Sequence, residues 1–306
     1  MSHASPDLQR LTATQGWQQS FRLPDGSVTR EMTRLGPGVA GKLAALQSLD
    51  LRGKRVLDMG CSEGLYAFYA AAQGAEEVVG VDIDPHRIDK ATFVADSIGV
   101  DNVRFEVGDV LDRTYRAGLS PFDLVIAWGF LHRVPDPFNA LVALGSIGQA
   151  MSLEWDALAV PFASRLSLAS HPTGGEFEWK NIAGMSRDEV AENLKGKQVD
   201  RASFWHLSPG AVEAIVRRLG FASFVRHDRH AGQRRERMTG MLRRTASSAL
   251  GRTPTDSERG WFRKRVIMLC ERRPGTVLPP GGSPYASPTW IAPWHHIGSD
   301  GEASDE

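Results

Sequence analysis

Between Val56 and Trp128 the chain repeats one pattern: a short apolar run, a break of small or acidic residues, then apolar residues at helical spacing. The first run, Val56-Leu57 with Met59, carries Asp58 at its end and leads into Gly60-Cys61-Ser62-Glu63-Gly64 and a helix-like segment from Leu65 to Gln73. Val78-Val79-Gly80-Val81-Asp82 predicts the second strand, Val103 to Val110 alternates as the third, and Phe122 to Trp128 is apolar throughout. Continuous apolar runs of this length suit parallel strands covered on both faces. A helix then runs from Asp136-Pro137 to about Gln149. Strands five, six and seven are predicted at Asp156–Phe162, Phe221–Val225 and Val266–Cys270. Together these elements predict an α/β fold, a doubly wound, seven-stranded, mostly parallel sheet.

Flanking segments read differently. Residues 1–50 form an N-terminal arm and helix: Trp17 to Gly26 predicts a hairpin arm turning at Pro24-Asp25-Gly26, and Val39 to Leu49 is helix-like. Residues 51–273 make the main domain. Within it, 163–203 breaks the strand–helix alternation and 226–262 is longer than a hairpin needs, which predicts a basic helical insertion. Ser208-Pro209-Gly210 starts an amphipathic helix with Val212, Ile215, Val216 and Leu219 on one face. Residues 274–306, rich in Pro, Gly and Ser and ending acidic, predict a disordered tail in which Trp290 and Trp294 are unusual.

Each of the first three strands ends in a carboxylate, and ligands of open α/β sheets bind at those ends. Asp82 follows Asp58 by 24 positions, the distance at which a second-strand acid meets ribose hydroxyls in dinucleotide folds. Gly60-Cys61-Ser62-Glu63-Gly64 lacks the Gly-x-Gly-x-x-Gly spacing of a nicotinamide site. With Asp109 closing the third strand, the chain resembles the class I S-adenosylmethionine-dependent methyltransferases, on Asp58, Gly60, Gly64, Asp82 and Asp109. Ser62 replaces their middle glycine.

That resemblance implies a Rossmann-like methyltransferase fold with S-adenosyl-L-methionine as cofactor and a lid over 163–203. The implied donor contacts are Asp58, Gly60, Cys61, Ser62 and Gly64 around the methionine chain, with Asp82 on the ribose. Ile83, Asp109 and Val110 would surround the adenine, and Trp128 would close the site. His132, in Leu131-His132-Arg133-Val134-Pro135-Asp136-Pro137, is the leading general-base candidate. The alternative is a structural histidine, and His206 and His171 are weaker candidates. No metal site is expected.

A narrower resemblance, over Trp17 with Leu23–Gly26, Gly53–Cys61, Gly74–Val79, Trp128–Arg133 and Phe204–Pro209, is to the group related to the tRNA wobble-uridine 5-oxyacetate (carboxymethyl) transferases. His132 stands in the place of that group's tyrosine, and the lead-in shows no Trp/Lys cluster. Ordinary methyl transfer to a small-molecule or saccharide-type hydroxyl is therefore the expectation, with tRNA uridine modification as the alternative. A binding protein without turnover is the third reading.

Composition adds limits. The chain has 306 residues, 42% of them hydrophobic, and a formal net charge of zero, so no whole-molecule field attracts a polyanion. From Arg217 to Arg273, however, 16 Arg and Lys face 5 Asp and Glu. That excess suits either a solvated helical face or a surface for tRNA or another phosphate-bearing substrate. Two cysteines, no charged-then-apolar leader and no run near the about 18 apolar residues of a membrane span predict a cytoplasmic protein.

Overall fold

The computed structural model of the protein describes residues 5–134, 136–158, 169–170, 206–228, 263–273, 275 and 288–298. Two helices come first, α1 (Pro6–Thr14) and α2 (Pro37–Gln47). The alternating core follows as β1 (Arg55–Met59), α3 (Leu65–Ala72), β2 (Glu77–Asp82), α4 (Pro85–Ile98), β3 (Val103–Val107), α5 (Arg113–Ala117), β4 (Phe122–Trp128), α6 (Pro137–Ile147) and β5 (Gly148–Leu158). After it come β6 (Ala169–Ser170), β7 (His206–Leu207), α7 (Pro209–Arg218), β8 (Ser223–Asp228) and β9 (Arg263–Glu271).

Seven strands form one sheet in the order β3-β2-β1-β4-β5-β9-β8, with β6 and β7 paired apart. The first five strands run parallel, and β9 enters antiparallel between β5 and β8. Strand order reverses between β1 and β4, so the crevice at their C-terminal ends is the place for a ligand. Alternation along β4 divides the core. Leu124, Ile126 and Trp128 join α2, α3 and α4 on one face, while Val125 and Ala127 join α6 and α7 on the other. Among the described residues no helix is long and apolar enough to cross a membrane.

The elements start and stop for local reasons. Asp84, Asp112, Asp136 and Ser208 each accept a backbone N–H at the start of α4, α5, α6 and α7. Arg272 donates to the carbonyls of Gly145, Gly148 and Leu219. One guanidinium thereby ties the C-terminal ends of α6 and α7, where carbonyls lack partners.

Several expectations shift. α6 stops at Ile147 and β5 begins at Gly148, eight positions before the predicted start. The polar residues Ser152, Glu154 and Asp156 on one face of that strand disguise it. β8 and β9 extend past their apolar cores for the same reason, since charged ends keep the ladder while leaving the apolar run. α1 was not anticipated. It is capped by Ser5 and buries Leu8 and Leu11. The expected lid lies outside the described residues apart from 169–170, as does the basic insertion apart from 226–228. His171 is outside them too.

The predicted disordered tail needs correction over 288–298, which packs on the domain. Phe21 and His295 form an antiparallel bridge, and Arg22 donates its N–H to the Trp294 carbonyl at 2.7 Å. The Trp294 ring lies 5.6 Å from Phe68 and 5.0 Å from Tyr69. Burial lowers the His295 pKa to about 4, so its Nδ1 can accept from the Tyr69 hydroxyl, which itself accepts from Ala292 N–H. The low apolar density of this segment hid these contacts. Its few aromatics are what anchor it.

The N-terminal arm is fixed by charge. Glu63, fully buried, accepts from the N–H groups of Gln18 and Gln19. Lys90, 1% exposed, donates to the carbonyls of Gln15 and Gly16 and lies 3.5 Å from Glu63. Removing one partner of such a pair strands the other charge. Lys90→Met is therefore expected to cost about 3–5 kcal/mol, read by urea unfolding. An unchanged unfolding midpoint would show that the arm is held by its apolar contacts alone.

Candidate functional site

The turn after β1 is built from left-handed backbone. Gly60, Ser62 and Gly64 have φ of 75°, 54° and 88°, a region that costs a residue with a Cβ roughly 1–2 kcal/mol. Ser62 is held there from both ends. Its N–H donates to Asp82 Oδ2 at 2.9 Å, and its hydroxyl accepts from Arg87 at 2.9 Å. Gly60 and Cys61 donate to the Val81 carbonyl, which binds the turn to the end of β2.

Two glycines here are demanded by packing. A Cβ on Gly64 would fall 2.5 Å from the Phe105 ring, and one on Gly80 would fall 2.4 Å from it. Phe105, from β3, thus fills the space under the turn. The ring of Phe130 covers Gly60, 3.1 Å from where a Cβ would stand.

The structure brings the sequence-predicted carboxylates to neighbouring strand ends. Asp82 spends one lone pair of each oxygen, on Ser62 and on Asp84 N–H. Asp109 accepts from Leu111 N–H through Oδ1. Burial raises both pKa values. Asp58 is 2% exposed, and its Oδ2 has no hydrogen-bond partner among the described residues. Burial, then the charge of Asp82, pushes its pKa up to about 7. Cys61 is buried and its thiol is held well above its ordinary pKa, first by burial. Ile83 is half-buried beside Asp82, Val110 is buried, and Trp128 donates its indole N–H to Ser152.

His132 sits deeper. It is 1% exposed, Nδ1 accepts from Asp156 N–H at 3.3 Å, and Nε2 lies 3.7 Å from Asp156 Oδ2. Burial, with Arg265 next, pushes its pKa down to about 2. A neutral ring with both nitrogens turned to Asp156 ties the loop after β4 to β5. The His206 ring bonds the Asp156 carbonyl.

Sequence reasoning missed a second cluster beside these residues. Arg265 Nη1 lies 3.0 Å from both carboxylate oxygens of Glu154, and its Nε lies 2.6 Å from Asp156. Lys42, from α2, approaches Glu154 at 3.4 Å and stands 5.4 Å from the Tyr66 ring centroid. Tyr66 packs edge-on to Trp128. The signal was the period-two run Ser152, Glu154, Asp156, which reads as a strand with one polar face. Asp156 also lies directly opposite Arg265 in the ladder.

Sheet order, the switch point and the turn define the Rossmann-like methyltransferase fold. Residues 50–152 match the family model of a methyltransferase domain. Among curated proteins, the chain is similar to ribosomal protein L11 methyltransferase of Vibrio campbellii, 35% identical over 152 residues, covering 48% of this chain and 50% of that one. It is also similar to ribosomal protein L11 methyltransferase of Deinococcus radiodurans, 32% identical, covering 47% and 57%. The chain spans about half the length of these curated relatives. Among solved structures, the N-terminal domain of EvdMO1, crystallised in the presence of SAH and D-fucose, superposes with a TM-score of 0.54 at 17% identity, covering 87% of this chain and 95% of that one.

The two packing glycines separate by experiment. Gly80→Ala and Gly64→Ala are each expected to destabilise by about 1–3 kcal/mol, since Phe105 must move. Adding Phe105→Leu is expected to recover most of the thermal-unfolding loss at Gly80. At Gly64, where φ is +88°, the backbone penalty remains. Equal recovery at both positions would remove strain from the account.

Proposed function

We propose that the chain is an S-adenosylmethionine-dependent methyltransferase acting on a hydroxyl of a small polar or saccharide-type acceptor. The observation that carries the donor assignment is the buried Oδ2 of Asp58, which has no hydrogen-bond partner among the described residues and feels the charge of Asp82. A buried carboxylate without a partner is costly, and a cationic ligand would relieve it. The other residues fit the same group. Each Asp82 oxygen keeps a lone pair for a ribose hydroxyl, and Asp109 Oδ2 stands available to an adenine amino group with Val110 and Ile83 beside it.

When bound, the donor would supply an electrophilic methyl on a sulfonium to the acceptor oxygen, its C–S electron pair remaining on sulfur, and the acceptor's hydroxyl proton would pass to bulk solvent as the product leaves. The protein's part is alignment and exclusion of water. Gly60, covered by Phe130, bounds the methionine chain. Asp58 faces the cationic end, and Trp128 walls the crevice. His132 acts here as a positioning residue that holds the β4 loop on β5, because its buried ring accepts the Asp156 N–H through Nδ1.

A second reading follows the relatives that methylate ribosomal protein L11, and a third, tRNA modification, follows the basic excess between Arg217 and Arg273. Incubation with methyl-labelled donor and fractionated cell extract separates them. Label in a soluble metabolite supports the first reading, label in a ribosomal protein the second, and label in RNA the third. Tight donor binding with no labelled fraction would leave only a binding protein.

Two binding measurements test the donor site. Asp82→Ala removes two hydrogen bonds to a charged group, and is expected to weaken donor binding about 100-fold by calorimetry. Asp58 ionises as pH rises through its pKa of about 7, so affinity for the cationic donor is expected to climb between about pH 6 and about pH 8. The slope should vanish in Asp58→Asn. The stability effect has the opposite sign. A folded-state pKa above the ordinary 3.8 means that Asp58 costs stability as pH rises from about 4 to about 7. A flat affinity profile in the wild type would remove Asp58 from the site.

A further inference from the structure

We propose that Gln19 is a positioning residue of the donor turn and that the segment 288–298 holds it in place, so that donor binding and docking of this segment strengthen each other. This rests on the donor site proposed above and adds a control on it from outside the crevice. The first argument is a missing cap. Gly64 stands at the N-cap of α3 in left-handed backbone and has no side chain to accept an N–H there. Phe105 forbids one, since even a Cβ would fall 2.5 Å from its ring. The acceptor comes instead from 46 positions earlier in the chain: Gln19 Oε1 takes the N–H of Leu65, the first residue of α3, at 2.9 Å. The N–H of Gln19 is itself bonded to Glu63 at 2.6 Å. Gln19 therefore grips the end of the turn on both sides of Gly64.

What holds Gln19 is the second argument. It lies in the N-terminal arm, and 288–298 pins that arm. The N–H of His296 donates to the carbonyl of Ser20, the next residue, at 3.2 Å. Arg22 donates its N–H to the Trp294 carbonyl at 2.7 Å, and its guanidinium lies 2.9 Å from His296 Nδ1. The same segment also grips α3. The Trp294 ring centroid lies 6.2 Å from that of Phe21 in the arm, and 5.6 Å and 5.0 Å from those of Phe68 and Tyr69 in the helix. Phe68 in turn stands 3.1 Å from where a Cβ on Gly64 would be. One indole thus packs against the capping arm and the capped helix, and sets the spacing at which Gln19 reaches Leu65.

The third argument is thermodynamic. Among the described residues the β-bridge of 288–298 is the single pair Phe21 and His295, with no strand ladder behind it. A segment held by side chains and isolated bonds opens at lower free energy than a parallel core. On release, Trp294 leaves the arm and α3 together, Gln19 loses its support, and the buried Leu65 keeps an N–H without its acceptor. The turn already carries left-handed backbone at Gly60, Ser62 and Gly64. With one end freed, a smaller fraction of molecules holds it ready for the donor, and apparent affinity falls by that fraction. Linkage is reciprocal, so a donor on the turn must tighten 288–298 by the same factor. A segment that merely covered apolar surface would open without regard to the donor.

Gln19→Leu removes the acceptor, and Trp294→Ala loosens arm and helix while leaving Gln19 intact. The full chain and both variants are compared by calorimetry with S-adenosylhomocysteine, well below every melting temperature. Hydrogen exchange is followed, with and without that compound, at the N–H groups of Ala292 and His296, which bond to Tyr69 and Ser20. Both variants are expected to bind S-adenosylhomocysteine about tenfold more weakly, as when one buried N–H loses its acceptor. The compound is expected to slow exchange at both groups about tenfold in the wild type and to leave it unchanged in Gln19→Leu. Unchanged affinity in Gln19→Leu overturns the positioning role, and in Trp294→Ala the part played by 288–298. Equal slowing in the wild type and Gln19→Leu overturns coupling through Gln19, because protection then comes from overall stability alone. Wild-type exchange that ignores the compound overturns the link to 288–298 even if neither variant folds. Failure of the wild type to bind S-adenosylhomocysteine sinks the proposed function itself, and this inference with it.

Discussion

One hydrogen bond organises the crevice: Asp82 Oδ2 to the N–H of Ser62. Ser62 occupies a backbone region that an L-residue with a Cβ avoids, and the carboxylate at the end of the neighbouring strand holds it there. The same carboxylate takes the N–H of Asp84, whose own side chain caps α4. The end of β2, the turn after β1 and the start of α4 are thus fixed to one another through a single side chain. Arg87, in the first turn of α4, closes the ring by donating to the Ser62 hydroxyl. A glycine at position 62 would relax the backbone, but it would lose that second tether.

Buried charge extends this order outward. Glu63, adjacent to Ser62, organises the arm at Gln18 and Gln19, and that arm meets the segment 288–298 through Phe21 and Arg22. Residues 274 positions apart in sequence, Arg22 and His296, are therefore registered against the turn after β1. Lys90 supplies the compensating charge from α4. Such pairs rarely add net stability over apolar packing, but they penalise every alternative arrangement in which one member is left alone. Here they fix where the arm sits.

The parallel core was legible because strands buried on both faces must be apolar, and β1, β2 and β4 are. Asp58, Asp82 and Asp109 were legible because strand ends are where apolar runs stop. β5 was misplaced because its inward face toward Trp128 carries Ser152, Glu154 and Asp156, which cancels the apolar signal that located the others. The docked segment 288–298 was obscured by the opposite effect. Its composition is that of a loop, and scattered residues, among them Trp290, Ala292, Trp294, His295 and His296, supply the contacts that order it. His132 stood out in sequence by its neighbours, yet its burial and its bond to Asp156 depend on β5 being where the sequence did not place it.

The two sides of the crevice differ in electrostatic state. On the turn side, Asp58, Asp82 and Asp109 are raised in pKa, first by burial, and Asp58 Oδ2 has no hydrogen-bond partner among the described residues. On the β5 side, Glu154 and Asp156 are matched by Lys42 and Arg265. A positive charge is favoured beside the first and gains nothing net from the second. The matched side instead presents dipoles and short-range donors whose strength depends on geometry. In an environment of that kind any polar group left unpaired stays buried at full cost. Tyr66, beyond the turn, feels the charges of Glu154 and Asp58 at once, and so lies where the matched and unmatched sides meet.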